Sequence, residues 1–530
     1  MRKRKLRQRF AAEFGTIPDP LYLTGDMEHI RAYHDARHAQ EPEVFAIDDT
    51  TWNDLDMDRL FRRVNPGLST SGEQYLYHTL RTPAQTPGEL SRRTDMIALM
   101  EEEPALRTEL QMILHRLGCA RRADLSAAFR PAKHGRGWLV AYLLMLCALV
   151  ASVFVMPLMG KPGVLLPVVC LIINGITHEF RRSACERDYA TVNYSVGMAR
   201  ALHRMQRLRH PRLDTFLAPV YPQLDTLRTV MRIGTLTPQG GDMMSDLANT
   251  IFLTDLISYE FLKTRLGCCH REIFCIHEAL GRIDTAIAAA SFRRSLDTRC
   301  IPEVVFGAPD TPLTAEALRH PLTPGAVPND VAVPASLLLT GSNASGKSTF
   351  LKAVMMNAIL AQTLGVCACK SWRAPAFRPM TSMALRDDLL AGESYYIVET
   401  RSLLRILEAA AQPGQPVLAA VDEVLRGTNT IERIAASCEV LRALHRAGAH
   451  CLAATHDLEL CTLLEDSFDM AHFEEQVTAD ELSFDYRLRP GPATSRNAIR
   501  LLALLGYDGA LVDAAHARAA RFAQTGSWRV

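Results

Sequence analysis

Net charge is nearly absent from this chain. Its 59 Lys and Arg offset 58 Asp and Glu, leaving a formal charge of +1 at pH 7. Overall balance therefore neither favours nor excludes a polyanionic partner, and only local patches bear on that question. Regular cysteine spacing is also missing. The 13 cysteines are scattered, which sets aside a secreted disulfide scaffold and favours a reduced, cytosolic setting for most of the chain. No internal repeat or low-complexity tract stands out. The basic start, MRKRKLRQRF, has no apolar run after it, so it is not a signal peptide. Its cations read either as a solvated tail or as an arm touching anionic lipid or nucleic-acid phosphate.

A further absence is local. From Gly137 to Gly160 the sequence GWLVAYLLMLCALVASVFVMPLMG carries no charge. At roughly 1.5 Å per residue such a run spans a bilayer, and soluble helices rarely lack charge for so long. After Lys161-Pro162-Gly163 comes a second uncharged run, 14 residues from Val164 to Thr177, containing Pro167 and Asn174. That run is short for a span, so it thins the bilayer, continues through His178–Phe180, or turns back. Arg130, Lys133 and Arg136 precede the pair, and Arg181 and Arg182 follow it. The positive-inside rule then predicts a hairpin over 137–178 with its turn outside and both soluble parts in the cytoplasm, in a multi-pass protein of the cell membrane.

What is present fits 530 residues divided into several domains. Residues 1–40 read as a basic extension and 41–130 as an amphipathic helical region. Residues 181–300 are again helical, with apolar positions at helical spacing in SDLANTIFLTDLISYEFLKTRL. From 301 to 530 a Pro-rich connector leads into short apolar strands alternating with helices, the pattern of a largely parallel sheet. The fold class expected is α plus α/β.

The strand-like run Ser336–Thr340 leads into GSNASGKST, which comprises Gly341, Ser342, Asn343, Ala344, Ser345, Gly346, Lys347, Ser348 and Thr349. A helix-like stretch follows. This G-x-x-x-x-G-K-[ST] loop suits phosphate: its glycines let backbone N–H groups close around the anion at the positive end of the next helix. Lys347 is expected to reach the β- and γ-phosphates of a nucleotide, and the Ser348 hydroxyl to hold Mg²⁺. Downstream, PVLAAVDEVLRGTNT ends an apolar strand in Asp422-Glu423. There Asp422 suits Mg²⁺ and Glu423 suits polarisation of an attacking water. His456, in HCLAATHDLEL, follows a third apolar strand, where the carboxyl edge of a parallel sheet forms the ligand crevice. There it would contact the γ-phosphate.

Together these segments resemble the MutS family of DNA mismatch-repair ATPases. GSNASGKST resembles the family's TGPNMGGKST, DEVLRGTNT its DEIGRGTST, and ATHDLEL its ATHYFEL. RDDLLAGESYYIVET, from Arg386 to Thr400, resembles the family pattern D-D-L-x-x-G-x-S-x-F-x-x-E, with Glu399 matching its glutamate. PGPATSRNAIRLLALLG resembles the closing region, with Asn497 replacing an aromatic residue, and AIDDTTWNDLDMDRLFRRVNPG resembles the opening of the helical core. The resemblance implies ATP and Mg²⁺ as cofactors, ATPase activity, a homodimer in which Ser394 acts on the partner's nucleotide, and DNA, including mismatched DNA, as a partner.

Departures temper that expectation. About 40 residues precede the core-like segment, and no Phe-x-Glu wedge of the kind that unstacks a base step appears there. Glu393 stands where the family usually has a basic residue, Ala326 where some relatives have an aromatic one, and Leu425 and Asn429 also differ. The apolar hairpin falls about where the DNA clamp would branch. The reading is thus a membrane-anchored ATPase without the mismatch-reading domain. Its output is DNA binding for repair, a membrane-associated conformational switch that binds no DNA, or association with RNA or the ribosome. Cys268, Cys269, His270, Cys275 and His277 match no common zinc spacing and read as helix packing. Cys367 and Cys369 alternate on an apparent strand and read as core, and His203, Arg204, Arg207, Arg209 and Arg212 as a phosphate contact or a solvated face.

Overall fold

Helical periodicity before the connector and short apolar runs after it fold into different structures. The computed structural model describes residues 2–18, 22–23, 25–121, 123–125, 129, 137–236, 243–342, 345–383, 395–426, 428–477, 482–493, 499, 502–503, 506–525 and 528. The chain divides into two units. One comprises residues 1–42, 64–79 and 96–292; the other comprises 43–63, 80–95 and 293–530.

The first unit is helical among its described residues. Its uncharged runs form the helices Gly137–Val155 and Leu165–Ala184, joined through the short 3₁₀ turns Met156–Leu158 and Lys161–Val164. Both helices are long and apolar enough to cross a membrane, by length and composition. The second does not stop at Thr177. It continues through His178–Phe180 to Ala184, adding the charged residues Glu179, Arg181 and Arg182 beyond the 14-residue uncharged run. Phe154 and Ile176 are among the large apolar side chains that these helices leave exposed.

Three polar residues of the second helix have partners. Asn174 Nδ2 donates to Ile251 O at 2.8 Å. That carbonyl ends the helix Met243–Phe252, just before Leu253 turns the chain with φ 53° into the helix Thr254–Cys268. A side-chain amide here satisfies an acceptor that a helix end leaves open. His178 Nε2 meets Asp255 Oδ2 at 3.0 Å, and Arg181 donates to Tyr142 Oη at 2.9 Å with its guanidinium 4.1 Å from the Trp138 ring.

Cys268 ends one helix and His270 begins the next, so the residues of that cluster spread around helical faces. His277 is buried against the rings of Tyr33 and Phe129, 4.9 and 5.0 Å away, and burial pushes its pKa down to about 3. Among the described residues no group of three or more His, Cys, Asp and Glu could hold a metal ion. In the basic row, Arg212 pairs with Glu102 at 2.7 Å.

The second unit contains two sheets. The six-stranded sheet has the order β10-β9-β4-β8-β7-β6. Its strands are β4 (Ser336–Thr340), β6 (Arg378–Ser382), β7 (Val417–Asp422), β8 (His450–Ala454), β9 (Asp469–Val477) and the antiparallel edge strand β10 (Leu482–Pro490). Strands β4 and β6–β9 pair in parallel. Every residue of β4, β6 and β8 is buried. Burial on both faces explains why β4 and β8 read as largely apolar runs, while β6 buries the polar side chains of Arg378, Thr381 and Ser382. A four-stranded sheet, β1-β5-β2-β3, is built from β1 (Glu303–Val305), β5 (Ser371–Pro375), β2 (Leu313–Leu318) and β3 (Asn329–Val333).

Residues 43–63 belong to this unit through specific bonds. Asp54, 3% exposed, accepts from Thr381 Oγ1 at 2.6 Å and Met383 N at 2.9 Å, and Thr51 Oγ1 accepts from Thr381 N at 3.1 Å. The stretch 41–130 is therefore divided between the two units. Asp54→Ala leaves a buried hydroxyl and a backbone N–H at the end of β6 without their acceptor. Its expected cost is roughly 2–4 kcal/mol of unfolding free energy, read by denaturant titration. A loss below about 0.5 kcal/mol would show that these bonds do not hold the segment.

Candidate functional site

Parallel strands place their carboxyl ends along one edge, and there the loops that follow them converge. Strand β4 is flanked by β8 and β9, with β7 beyond β8. The loop after β4, the Asp422-Glu423 pair ending β7 and the His456 loop after β8 are thereby brought to the same edge of one sheet.

The loop after β4 needs its glycines. Gly341 has φ 137°, and a Cβ there would lie 2.6 Å from Phe473 O, so a side chain meets main chain that cannot yield. Gly346 has φ 110° and N-caps the helix Lys347–Thr363; a Cβ there would come within 3.2 Å of Tyr486 Cδ1. Both positions use backbone conformations that L-residues rarely adopt. Lys347 Nζ folds back to donate to Gly341 O at 2.7 Å and Ser342 O at 2.8 Å. The Ser345 hydroxyl is buried with no hydrogen-bond partner among the described residues. Ser348 and Thr349 stand exposed in the first turn of the helix. Asn343 and Ala344 lie outside the described residues.

Across the loop, Ser348 Oγ donates to Asp422 Oδ2 at 2.5 Å. Burial pushes the Asp422 carboxyl up, opposed by that bond and by Lys347. Glu423 has φ 57° and donates its N–H to Ala454 O at 2.9 Å, so β8 fixes the turn that carries its side chain. Its Oε1 lies 2.7 Å from His456 Nε2, and its Oε2 is paired with Arg426. Burial pushes this carboxyl up, but His456 and Arg426 outweigh burial and hold it below the usual range. Glu423 is thus an ionised acceptor in the neutral range. Glu399 lies beneath the turn, 3% exposed, and accepts from Leu425 N. Burial pushes its carboxyl up. Asn429 caps the helix Thr430–Arg446 by accepting from Ile431 N at 3.0 Å.

The fold therefore joins Ser348 to Asp422 and Glu423 to His456. Ser394, Glu393 and Asn497 lie outside the described residues. Ala326 supplies a carbonyl that accepts from Arg319. Several contacts escaped the sequence reading. Arg426 lies inside the quoted DEVLRGTNT segment, yet no role followed from its position. Arg433 forks onto Asp457, the neighbour of His456, at 2.6 and 3.0 Å. Arg405 donates to Thr381 O at 2.5 Å and also reaches Asp48, a second tie between residues 43–63 and β6. Spacing carries no signal for pairs so far apart in the chain.

Comparison with known proteins bears on the same segment. A family described as MutS domain V matches residues 337–523. A protein named DNA mismatch repair protein MutS from Natronomonas pharaonis is 29% identical over 320 residues, covering 58% of this chain and 36% of that protein. One of the same name from Granulibacter bethesdensis is 39% identical over 222 residues, covering 39% of this chain and 23% of the relative. The Thermus aquaticus protein of that name is 33% identical over 210 residues, covering 39% and 26%. The chain thus spans between about a quarter and a third of the length of these relatives. The family match runs from β4 into the helix Gly509–Thr525, across the strands whose ends meet at the edge just described. Residues 337–523 of this chain are thus similar to domain V of the MutS family.

Proposed function

We propose that this chain is a membrane-anchored, dimeric ATPase whose residues 301–530 form a P-loop domain that hydrolyses ATP with Mg²⁺. The Ser348–Asp422 contact at 2.5 Å carries the reading, because it sets an alcohol and a carboxylate side by side next to a glycine loop. That pair is the oxygen donor set for a divalent cation beside phosphates. The fit extends to the loop: a cradle at Gly341 that a Cβ would fill, and a buried Ser345 hydroxyl with a spare donor.

In this reading the loop from Gly341 to Thr349, Asn343 and Ala344 included, wraps the phosphates. Lys347 exchanges its two carbonyl acceptors for phosphate oxygens. Ser348 and Asp422 hold Mg²⁺, which supplies charge neutralisation on the phosphates when bound. Glu423 accepts a hydrogen bond from the attacking water and polarises it. His456 orients that carboxylate through its 2.7 Å contact and is near enough to the same edge to contact the terminal phosphate. Arg426 fixes the second carboxylate oxygen.

By family resemblance Ser394 completes the partner's site. Mixing Ser394→Ala protein with Lys347→Ala protein then yields heterodimers with one intact composite site, and part of the lost phosphate release returns. If heterodimers form and activity stays at the level of the separate variants, each site works alone.

The membrane part of the proposal places 137–178 across the bilayer as a hairpin. The extension 1–40, the helical regions 41–130 and 181–300 and the ATPase domain then lie in the cytoplasm. Support comes from the length and composition of the two helices and their exposed apolar side chains. The relatives' printed names support a second reading, DNA binding. We propose that any such binding is carried by phosphate contacts, so that it falls steeply with salt and ignores a mismatch. A tenfold preference for mismatched duplex in a titration, about 1.4 kcal/mol, would contradict this.

A further inference from the structure

Three cysteines that play no part in the nucleotide site meet within the strand-rich unit. Cys300 and Cys367 face each other across an antiparallel bridge, with Cys300 N to Cys367 O at 3.1 Å and Cys367 N to Cys300 O at 3.2 Å. Cys369 follows two residues on, and its Sγ lies 3.4 Å from Cys300 Sγ. A disulfide has its sulfurs about 2.05 Å apart, so roughly 1.4 Å of movement joins this pair.

The three thiols differ in access and in proton affinity. Cys367 and Cys369 are fully buried, whereas Cys300 is partly exposed. A reagent from solvent therefore meets Cys300 first. Hydrogen bonds from Cys367 and Cys369 lower the Cys300 thiol, while burial raises Cys367 well above the ordinary thiol range and the bond to Cys300 raises Cys369. The thiolate is the nucleophile in exchange, so the accessible member of the cluster is also the reactive one.

We propose that Cys300 and Cys369 form a thiol–disulfide exchange site that reacts with low-molecular-weight disulfides and closes an intramolecular Cys300–Cys369 disulfide. In the first step the Cys300 thiolate attacks one sulfur of the small disulfide. A protein–small-molecule disulfide forms and a small thiolate leaves. In the second step Cys369 gives its proton to that thiolate and attacks Cys300 Sγ, and the second small thiolate departs. The protein loses two electrons, and the small disulfide gains them as two thiols. The product closes a ring from residue 300 to residue 369. That ring contains β1 to β4, the glycine loop and the whole helix Lys347–Thr363, so the link fastens the chain that leaves that helix to the chain that enters the four-stranded sheet.

The test uses the full chain and oxidised glutathione as the probe. After timed exposure, free thiols are alkylated and peptides are mapped by mass spectrometry. The expected product has two hydrogens fewer and a Cys300–Cys369 linked peptide, reversed by dithiothreitol. Cys300→Ser should slow formation of any disulfide in this cluster at least about tenfold, because the accessible thiolate is gone. Cys369→Ser should instead stop at glutathione held on Cys300. A ligation-competent fold is checked in each variant by unchanged ATP binding. Failure of Cys300 to react while exposed Cys268 does, or a link from Cys300 to Cys367 in the wild-type chain, overturns the assignment.

Discussion

Glu423→Gln leaves ATP binding within about twofold of the wild-type chain and slows hydrolysis by about 10²–10³-fold. The amide keeps the size of the side chain and can still meet His456 and Arg426, so the turn at φ 57° is preserved. What it loses is the ionised oxygen that draws on the water's proton. The carboxylate is held below its usual pKa range by His456 and Arg426 despite burial, so it is charged throughout the neutral range, and the substitution removes that charge at every working pH. His456→Ala removes the orienting contact but leaves Arg426, and its loss in turnover should be smaller than that of Glu423→Gln. Filter binding or fluorescence titration with ATP, beside phosphate release, separates the two effects. Turnover of Glu423→Gln within threefold of wild type would remove Glu423 from its assigned role.

A cysteine placed at Lys161, in a background lacking native cysteines, reacts with an impermeant thiol reagent added outside intact cells, and cysteines placed at Arg4 and Trp528 do not. Each helix of the hairpin satisfies its own backbone hydrogen bonds, which the bilayer core demands. Helix Leu165–Ala184 has 20 residues, but its uncharged part ends at Thr177, so the span requires a locally thinned bilayer, with the charged last turns at the boundary. Its last turns carry His178, Arg181 and Arg182, and two of these already have partners: Asp255 for His178, and Tyr142 and Glu260 for Arg181. Those residues suit the cytoplasmic boundary, where a cation is retained. The expected labelling contrast is nearly all-or-none. Release of the chain from membranes by alkaline carbonate, or labelling at Arg4 from outside, would defeat the hairpin.

Local patterns were the legible part of this molecule. The strand, glycine loop and helix from Ser336 onward could be read because one short stretch dictates all three: an apolar run buried on both faces, two positions that only glycine fills comfortably, and an uninterrupted helical sequence. Asp422-Glu423 and His456 could be positioned for the same reason, each following an apolar strand. That those strands are neighbours depends on sheet order, which spacing does not encode. The Glu423–His456 contact, the Arg433–Asp457 fork and the Asp54 anchor on β6 were therefore invisible. Asn174, a polar residue within the second apolar run, has a partner the sequence did not indicate: its amide donates to Ile251 O. The cysteines at 367 and 369 read as core, and both are buried; the third member, Cys300, comes from 67 residues earlier and could be paired with them only by the bridge between the two segments.

The most direct measurement is phosphate release by the purified full chain at saturating ATP, with Mg²⁺ and with EDTA, beside Lys347→Ala. The account predicts steady turnover that requires the divalent cation and falls to background in Lys347→Ala, because the cation site at Ser348 and Asp422 and the ammonium that meets the phosphates are both needed. Turnover that persists in EDTA, or that is equal in Lys347→Ala and the wild type, would contradict it.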